Sequence, residues 1–200
     1  MFTYQQQTKS FFHTLLLFFA AIAITSCGGK EKVNSDATSM GLNQPEKENT
    51  KPRDERFLIQ AAEFDYEQIM IGKLARQRAT SDDVREFATM MEEAHRNTKS
   101  ELGSMGIIKS IAVPCAPTKA ANDSYDKLNA VSVEEFDEAY LARVIESHND
   151  AIAMFESCTN ASHDPDVKAI ASKRLPELRS HLSKAMELDA VFSPLSELVK

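Results

Sequence analysis

Apolar side chains recur every three or four residues along four stretches of the chain, which is the spacing of one face of an α-helix. The first predicted helix covers about 52–79, and the second begins after Ser81 and stops near Gly103. The third begins with a capping box at 132–135, and the fourth opens at 164–165 with an aspartate cap followed by proline. The pattern therefore predicts an all-α protein.

The connections between these helices predict how they are arranged. Very few residues separate the first two helices, so they must be antiparallel neighbours. The connection over 104–131 is long enough to run back along the bundle, and its segment 119–130 predicts a short extra helix. The third long helix can then lie parallel to the second, which gives a four-helix bundle over 52–192. Pro176 lies inside the fourth helix, where we expect it to bend the helix.

Each predicted helix also carries one polar residue on or beside its apolar face. At 1.5 Å per residue, these four residues lie about 15–22 Å from the end of the bundle where the first helix stops. Polar side chains in such a buried layer need partners. A divalent zinc, iron, manganese or copper ion would provide them. The candidate metal ligands are Glu67, His95, His148 and His181, with Glu92 as a fifth ligand or as a residue that orients His95.

A second interpretation of this layer needs no metal. Glu67 can accept a hydrogen bond from one imidazole, while hydroxyls, carbonyls or water satisfy the other ring nitrogens. Glu177 lies one turn before His181 and either orients that ring or faces solvent. Asp137 and Tyr140 share a face of the third helix, but Asp137 lies about 16 Å along it from His148. We therefore interpret both as structural polar residues.

The N-terminus is the segment apolar enough to meet a bilayer. Its run 11–24 has the length of a signal-peptide core and is short for a membrane span. The run ends in Ile-Thr-Ser-Cys-Gly, which resembles a bacterial lipobox. On that interpretation 1–26 is a lipoprotein signal peptide and Cys27 carries a covalent lipid that anchors the protein firmly. The alternative is an ordinary signal peptide cleaved nearby, with Cys27 as a bystander thiol.

The linker, the C-terminal tail and the net charge complete the predicted organisation. Residues 27–51 contain the lipidated cysteine and a segment rich in Lys, Glu, Asn, Ser and Gly, which is typical of a flexible linker. Residues 193–200 form a C-terminal tail. A formal net charge of −7 argues against a nucleic-acid partner, because neutralising phosphates requires a basic surface. The predicted location is the bacterial cell envelope, either periplasmic or at the outer membrane.

Two cysteines, Cys115 and Cys158, remain when Cys27 carries lipid. In an oxidising compartment they are a candidate disulfide. Such a bridge would close a loop of about 43 residues, which the chain-entropy model values at roughly 4 kcal/mol. Two unpaired buried cysteines are the alternative.

Three stretches of the chain resemble the domain of unknown function 4142 family: FLIQAAEFDYEQIMIGKLARQRATSDDVREFATMMEEAHRNTKSEL, FDEAYLARVIESHNDAIAMFE and LPELRSHLSKAMEL. The resemblance covers about 54–190 and implies an exported, often lipid-anchored protein with a ferritin-like four-helix fold. The family usually has aspartate directly before the histidine of the second helix, where this chain has Ala94. The family's recurrent polar residues fall on Glu67, His95, Asp137, His148 and His181, with Pro176 in the Leu-Pro step.

The resemblance implies a fold more than an activity. Ferritin-like di-iron centres use a Glu from each of two helices and Glu-x-x-His from the other two. This chain has that motif once, at Glu92 and His95, whereas Ile145 and Leu178 stand three residues before the other two histidines. Three hypotheses follow. The protein is a metal-binding envelope lipoprotein, a non-enzymatic module that binds an envelope protein or the cell wall, or a redox enzyme, and we favour a protein without enzymatic activity.

Overall fold

The computed structural model describes residues 51–192, which form five helices and no strand. The predicted signal peptide, the lipid on Cys27, the linker up to residue 50 and the tail at 193–200 lie outside these residues. Within the described range, no helix is both long enough and apolar enough to cross a membrane. The helices are α1 (Lys51–Arg78), α2 (Asp82–Lys109), α3 (Lys119–Asn129), α4 (Phe136–Ala161) and α5 (Pro165–Phe192).

The four long helices form a bundle with a crossover between α2 and α4. Helix α1 packs against α2 and α4, and α5 packs against α4 and α2. Near the start of α1, Arg53 donates a hydrogen bond of 3.2 Å to the carbonyl of Ala161 at the end of α4. At the other end of the bundle, Asp137 at the start of α4 contacts the turn between α1 and α2. Helix α4 is therefore antiparallel to α1 and parallel to α2, as the long connection predicted.

The predicted short helix is present as α3, and it packs along α1. Arg78 at the end of α1 donates hydrogen bonds to the carbonyls of Asn129 and Val131, at 2.5 and 2.7 Å. Its guanidinium also lies 4.6 Å from the ring centroid of Phe136. These contacts fix the end of α3 and the start of α4 beside the end of α1.

Two predicted helix boundaries are wrong. Helix α2 does not stop near Gly103 but continues to Lys109, where Ser110 ends it with a left-handed φ of 56°. The residue that shapes this end is Gly106, because a Cβ there would lie 2.5 Å from Cγ2 of Val113 as the chain folds back. The capping box at 132–135 forms its side-chain contacts inside a turn, and α4 begins one residue later at Phe136. The other predicted caps are formed: Ser81 accepts from the amide of Val84, and Asp164 from that of Val167.

The predicted disulfide between Cys115 and Cys158 is not formed, and both are free thiols in the described chain. The loop after α2 folds back over the last turn of that helix and places Cys115 in a surface groove with Tyr66 and Lys99. Cys158 instead packs into the apolar core, where burial raises the pKa of its thiol to about 12. The two cysteines therefore face different sides of the same end of the bundle.

The apolar core consists of two clusters separated along the bundle axis. One lies near the start of α1 and includes Phe57, Leu58, Leu102 and Phe155. The other lies towards the α1–α2 turn and includes Ile71, Phe87, Met91, Phe136 and Tyr140. On α2, α4 and α5 a histidine stands in sequence between the residues of the two clusters.

Asp137 is the polar residue that ties α4 to the α1–α2 turn. Its buried carboxylate accepts hydrogen bonds from the amides of Thr80 and Ser81, at 3.0 and 2.8 Å, and from the Thr80 hydroxyl at 2.7 Å. It is the structural acceptor that the sequence analysis predicted.

We expect Asp137→Ala to lower the free energy of unfolding by about 2–4 kcal/mol, because it removes the buried charged acceptor of three hydrogen bonds from the α1–α2 turn. Urea denaturation followed by circular dichroism measures the loss. Glu138→Ala, at the exposed neighbouring position, is the control and should change stability by less than about 0.5 kcal/mol. A loss of that small size for Asp137→Ala would contradict the role assigned to the carboxylate.

Candidate metal centre

Three histidines from three helices meet in the middle of the bundle. His95 comes from α2, His148 from α4 and His181 from α5, and their exposed fractions are 0%, 0% and 4%. The centroids of the three rings are 5.4–5.5 Å apart. Each histidine lies on the apolar face of its helix, and this face packs into the core.

The ring nitrogens divide into two sets. His95 Nδ1 lies 2.7 Å from Oδ1 of Asp65, and His148 Nδ1 lies 2.9 Å from the carbonyl oxygen of Val144. The opposite nitrogens, Nε2 of both rings, are buried and have no hydrogen-bond partner among residues 51–192. The same holds for Nδ1 of His181. One ligand atom from each of the three histidines can be chosen so that all lie within 4.8 Å of one another.

In His95 and His148, the hydrogen bond at Nδ1 determines whether Nε2 carries the lone pair. Because a carbonyl oxygen only accepts, His148 Nδ1 must be the protonated nitrogen, and its Nε2 then carries the lone pair. His95 takes the same tautomer when the carboxylate of Asp65 is ionised. Metal-bound histidines are held in this way, with the second ring nitrogen donating to a carboxylate or a carbonyl.

Burial keeps all three imidazoles neutral. It lowers the pKa of His95 to about 3, with a further contribution from the Arg174 cation. It lowers the pKa of His148 to about 2 and that of His181 to about 4, and the neighbouring histidines add to both shifts. Neutral imidazole is the form that binds a metal ion.

Asp65, which contacts His95, forms a buried ion pair with Arg174. Asp65 is 1% exposed, and Nη2 of Arg174 lies 3.9 Å from its Oδ1. Arg174 is itself buried, and its Nη1 lies 3.1 Å from Glu177. Glu177 approaches His181 Nε2 only to 3.9 Å, which is too long for a hydrogen bond. Burial raises the pKa of Asp65 well above its usual range, whereas the Arg174 cation lowers it.

The structure does not bring the two predicted glutamates to the histidines. Glu67 pairs with Arg143 on α4, with 2.6 Å between Oε1 and Nε. Glu92 pairs with Arg96 at 2.6 Å and with Arg76 at 3.5 Å. Within the described residues, the histidine group that could hold an ion contains no carboxylate. The structure brings the three predicted histidines together and leaves both predicted glutamates outside their group.

Tyr140 and Pro176 are the other two residues that the sequence singles out as structural. Tyr140 is fully buried beside Phe87, at 6.3 Å between ring centroids, and burial raises the pKa of its hydroxyl. Helix α5 continues through Pro176 to Phe192 without ending there. We assign neither residue to the candidate metal site.

Sequence reasoning missed Asp65 and Arg174, although both stand on apolar faces. Asp65 follows Leu58, Ala61 and Ala62 at helical spacing, and Arg174 lies between Ile170 and Leu178 in the same way. A charged residue at the centre of an apolar helix face is a signal in itself, because it is costly to bury without a partner.

Comparisons with known proteins place the chain in a family. The model of a domain of unknown function, DUF4142, matches residues 39–188. The chain belongs to this family. No curated protein matches it. A DUF305 fragment from Deinococcus radiodurans, solved by crystallography, is similar in structure with a TM-score of 0.62 and 16% identity. The similarity covers 70% of this chain and 96% of the fragment, and at that identity it shows the fold alone.

The lowered histidine pKa values predict that acid destabilises the metal-free DUF4142 domain. An unfolded histidine takes up its proton near pH 6.5, whereas the folded cluster stays neutral down to about pH 4. The free energy of unfolding should therefore fall between pH 6.5 and 4, by about 1.4 kcal/mol per pH unit for each histidine. The raised pKa of Asp65 acts in the opposite direction and offsets part of this loss.

Urea titrations between pH 4.5 and 7.5, with chelator present, measure this slope. His148→Gln should make the slope shallower, while His163→Gln, in the exposed loop before α5, should leave it unchanged. A free energy of unfolding that stayed constant from pH 6.5 to 5 would rule out three buried neutral imidazoles.

Proposed function

We propose that this DUF4142 domain binds one divalent transition-metal ion through His95, His148 and His181. The observation that carries the proposal is a group of three buried histidines that can each place one ring nitrogen within 4.8 Å of the others, while each ring has one nitrogen without a partner among the described residues. Buried polar atoms are normally hydrogen-bonded, so three in one group of rings require an explanation. A metal ion satisfies all three at once.

The spacing of the nitrogens supports binding with a small adjustment. Zinc–nitrogen bonds of about 2.0–2.1 Å in tetrahedral geometry place neighbouring ligand nitrogens about 3.3 Å apart. From separations of up to 4.8 Å, each ring nitrogen would have to move inward by less than about 1 Å. Side-chain rotations of that size leave the helices where they are.

The ligand set favours some metals over others. Imidazole suits zinc, copper, nickel and iron, whereas manganese and magnesium prefer oxygen ligands. A site of three histidines without a carboxylate therefore supports zinc or copper more than manganese, and a single ion more than a di-iron pair. Three protein ligands also leave one position of a tetrahedral ion open to water or to another small ligand.

Metal analysis of the purified protein tests the proposal. We expect about one equivalent of zinc or copper by mass spectrometry after loading and desalting, and less than about a tenth of that in a His95→Ala, His148→Ala double variant. His163→Ala is the matched control because that histidine is exposed in the loop before α5. Wild-type protein that retained no metal, or a double variant that retained as much as wild type, would refute the proposal.

Asp65 is proposed to orient His95 for binding. Its carboxylate lies 2.7 Å from Nδ1, which fixes the ring and, when ionised, leaves the lone pair on Nε2. We expect Asp65→Asn to weaken zinc affinity by about 10–100-fold, the usual effect of losing such a residue. Isothermal titration against a competing chelator measures it, and Glu67→Gln should bind like wild type because Glu67 pairs with Arg143. Equal affinities for the two variants would remove Asp65 from the site.

A structural role without metal is the second candidate function. The three histidine rings contact one another, and Phe64 contacts His95 and His148, largely edge to face, an arrangement that stabilises aromatic packing without an ion. In that case the domain is an interaction module of the envelope. Histidine substitutions would then lower the free energy of unfolding without any loss of bound metal.

We further propose that the domain is a ferritin-like bundle carried by an envelope lipoprotein. The crossover between α2 and α4 supports the ferritin-like assignment. The apolar run 11–24 and the small residues before Cys27 support a lipid anchor. Metabolic labelling with a fatty acid tests the anchor, and Cys27→Ser should abolish the label.

A further inference from the structure

A surface groove lies directly outside the histidine cluster. It has a volume of about 340 Å³ and is bounded by α1, α4 and the start of α3. Its α1 side includes Glu63, Phe64 and Glu67, and its α4 side includes Arg143, Ser147 and Asp150.

Phe64 belongs both to this groove and to the cluster. Its ring centroid lies 5.1 Å from that of His95 and 5.1 Å from that of His148, at interplanar angles of 85° and 72°. The same side chain lines the groove and is 9% exposed. The phenyl ring therefore lines the groove and also contacts two imidazoles whose Nε2 atoms have no partner in the described part of the chain.

The charge of the groove suits a cation. Glu63, Glu67 and Asp150 are acidic and only Arg143 is basic among the charged residues that line it. Arg143 is already paired with Glu67 and with Glu146 at the edge of the groove, at 2.6 and 2.7 Å. Glu63 is half-buried and Asp150 is exposed, so both can attract an approaching ion from solvent.

The polar floor of the groove continues towards the cluster. Ser147 precedes His148 in the sequence and accepts a hydrogen bond of 3.0 Å from Nε2 of the buried Gln68. The amide oxygen of Gln68 is buried without a hydrogen-bond partner in residues 51–192. A partly hydrated ion passing Phe64 would thus meet polar atoms beside an otherwise apolar wall.

We propose that the metal ion reaches and leaves the three-histidine site through this groove, and that Phe64 is the gate, whose ring must rotate aside. The proposal rests on the metal-binding function proposed above and adds the route and its controlling residue. Glu63 and Asp150 draw the ion in, and the phenyl ring limits how fast it passes. The gate also keeps bulk water away from the ligands once it closes.

The first test compares two phenylalanines of α1. Phe64→Ala should accelerate zinc uptake by metal-free protein by about tenfold or more, because a step gated by a buried ring is removed. Phe57→Ala is the matched control: it removes another buried ring, 4% exposed against 9% for Phe64, that packs on Phe155 in the cluster near the start of α1. Both substitutions destabilise the core, so faster uptake by Phe64→Ala alone identifies the gate. Uptake is measured by stopped flow against a chromophoric zinc chelator.

The second test needs no core substitution. The double variant Glu63→Gln, Asp150→Asn should slow zinc uptake by about two- to tenfold at low salt and reduce its salt dependence. Glu86→Gln with Glu138→Gln removes two exposed acids outside the groove and should leave the rate unchanged.

In the first test, Phe64→Leu replaces Phe64→Ala if the alanine variant fails to fold, and it should accelerate zinc uptake by a smaller factor.

The outcomes separate the two proposals. A wild-type protein that takes up no zinc at equilibrium overturns the metal-binding function and the route together. If wild-type protein binds zinc and the histidine double variant does not, equal uptake rates for the Phe64 and Phe57 variants overturn the gate. Uptake that is insensitive to Glu63 and Asp150 at every salt concentration overturns the groove as the path.

Discussion

The fold is organised around three imidazole nitrogens that are buried together with nothing in residues 51–192 to bond to. A polar atom in this position costs free energy relative to water, and three of them concentrate that cost in one layer. The chain offsets the cost with two apolar clusters, one on either side of the layer, so that α2, α4 and α5 each carry core residues above and below their histidine. A bound ligand would remove this free-energy cost, so the layer is well suited to binding one.

The surroundings of the rings support the same interpretation from the electrostatic side. Neutral imidazoles bring no charge into the core, and the buried Asp65 carboxylate is partly offset by Arg174 at 3.9 Å. Arg174 in turn contacts Glu177 at 3.1 Å, so two carboxylates share its positive charge. Protonation of one ring would meet the Arg174 cation and the other two rings at close range, whereas neutral imidazoles can bind an ion without taking up a proton.

The sequence predicted the axial position of each polar residue along its helix well, but it predicted poorly which way the side chain faces around the helix. A rise of 1.5 Å per residue was enough to place three histidines in one layer. It also placed Glu67 at that depth, but Asp65, two residues earlier and about 200° away around the helix, is the carboxylate that points at His95. The placement of Cys115 was not predicted because a loop determines it. The chain turns at Ser110 and folds back over Gly106, which leaves Cys115 at the surface, and no helical pattern records this turn.

Phe64 connects the surface groove to the proposed metal site, because its ring lines the groove and contacts two of the histidines. A bound ion with three protein ligands keeps an open position, and catalysis at that position would need a substrate to reach it. The groove that leads towards the rings holds about 340 Å³ and ends at a phenyl ring in contact with two of them. Any molecule that reaches the ion by this path must be small enough to pass when the ring rotates. The proposed route therefore suits the ion itself better than a large substrate.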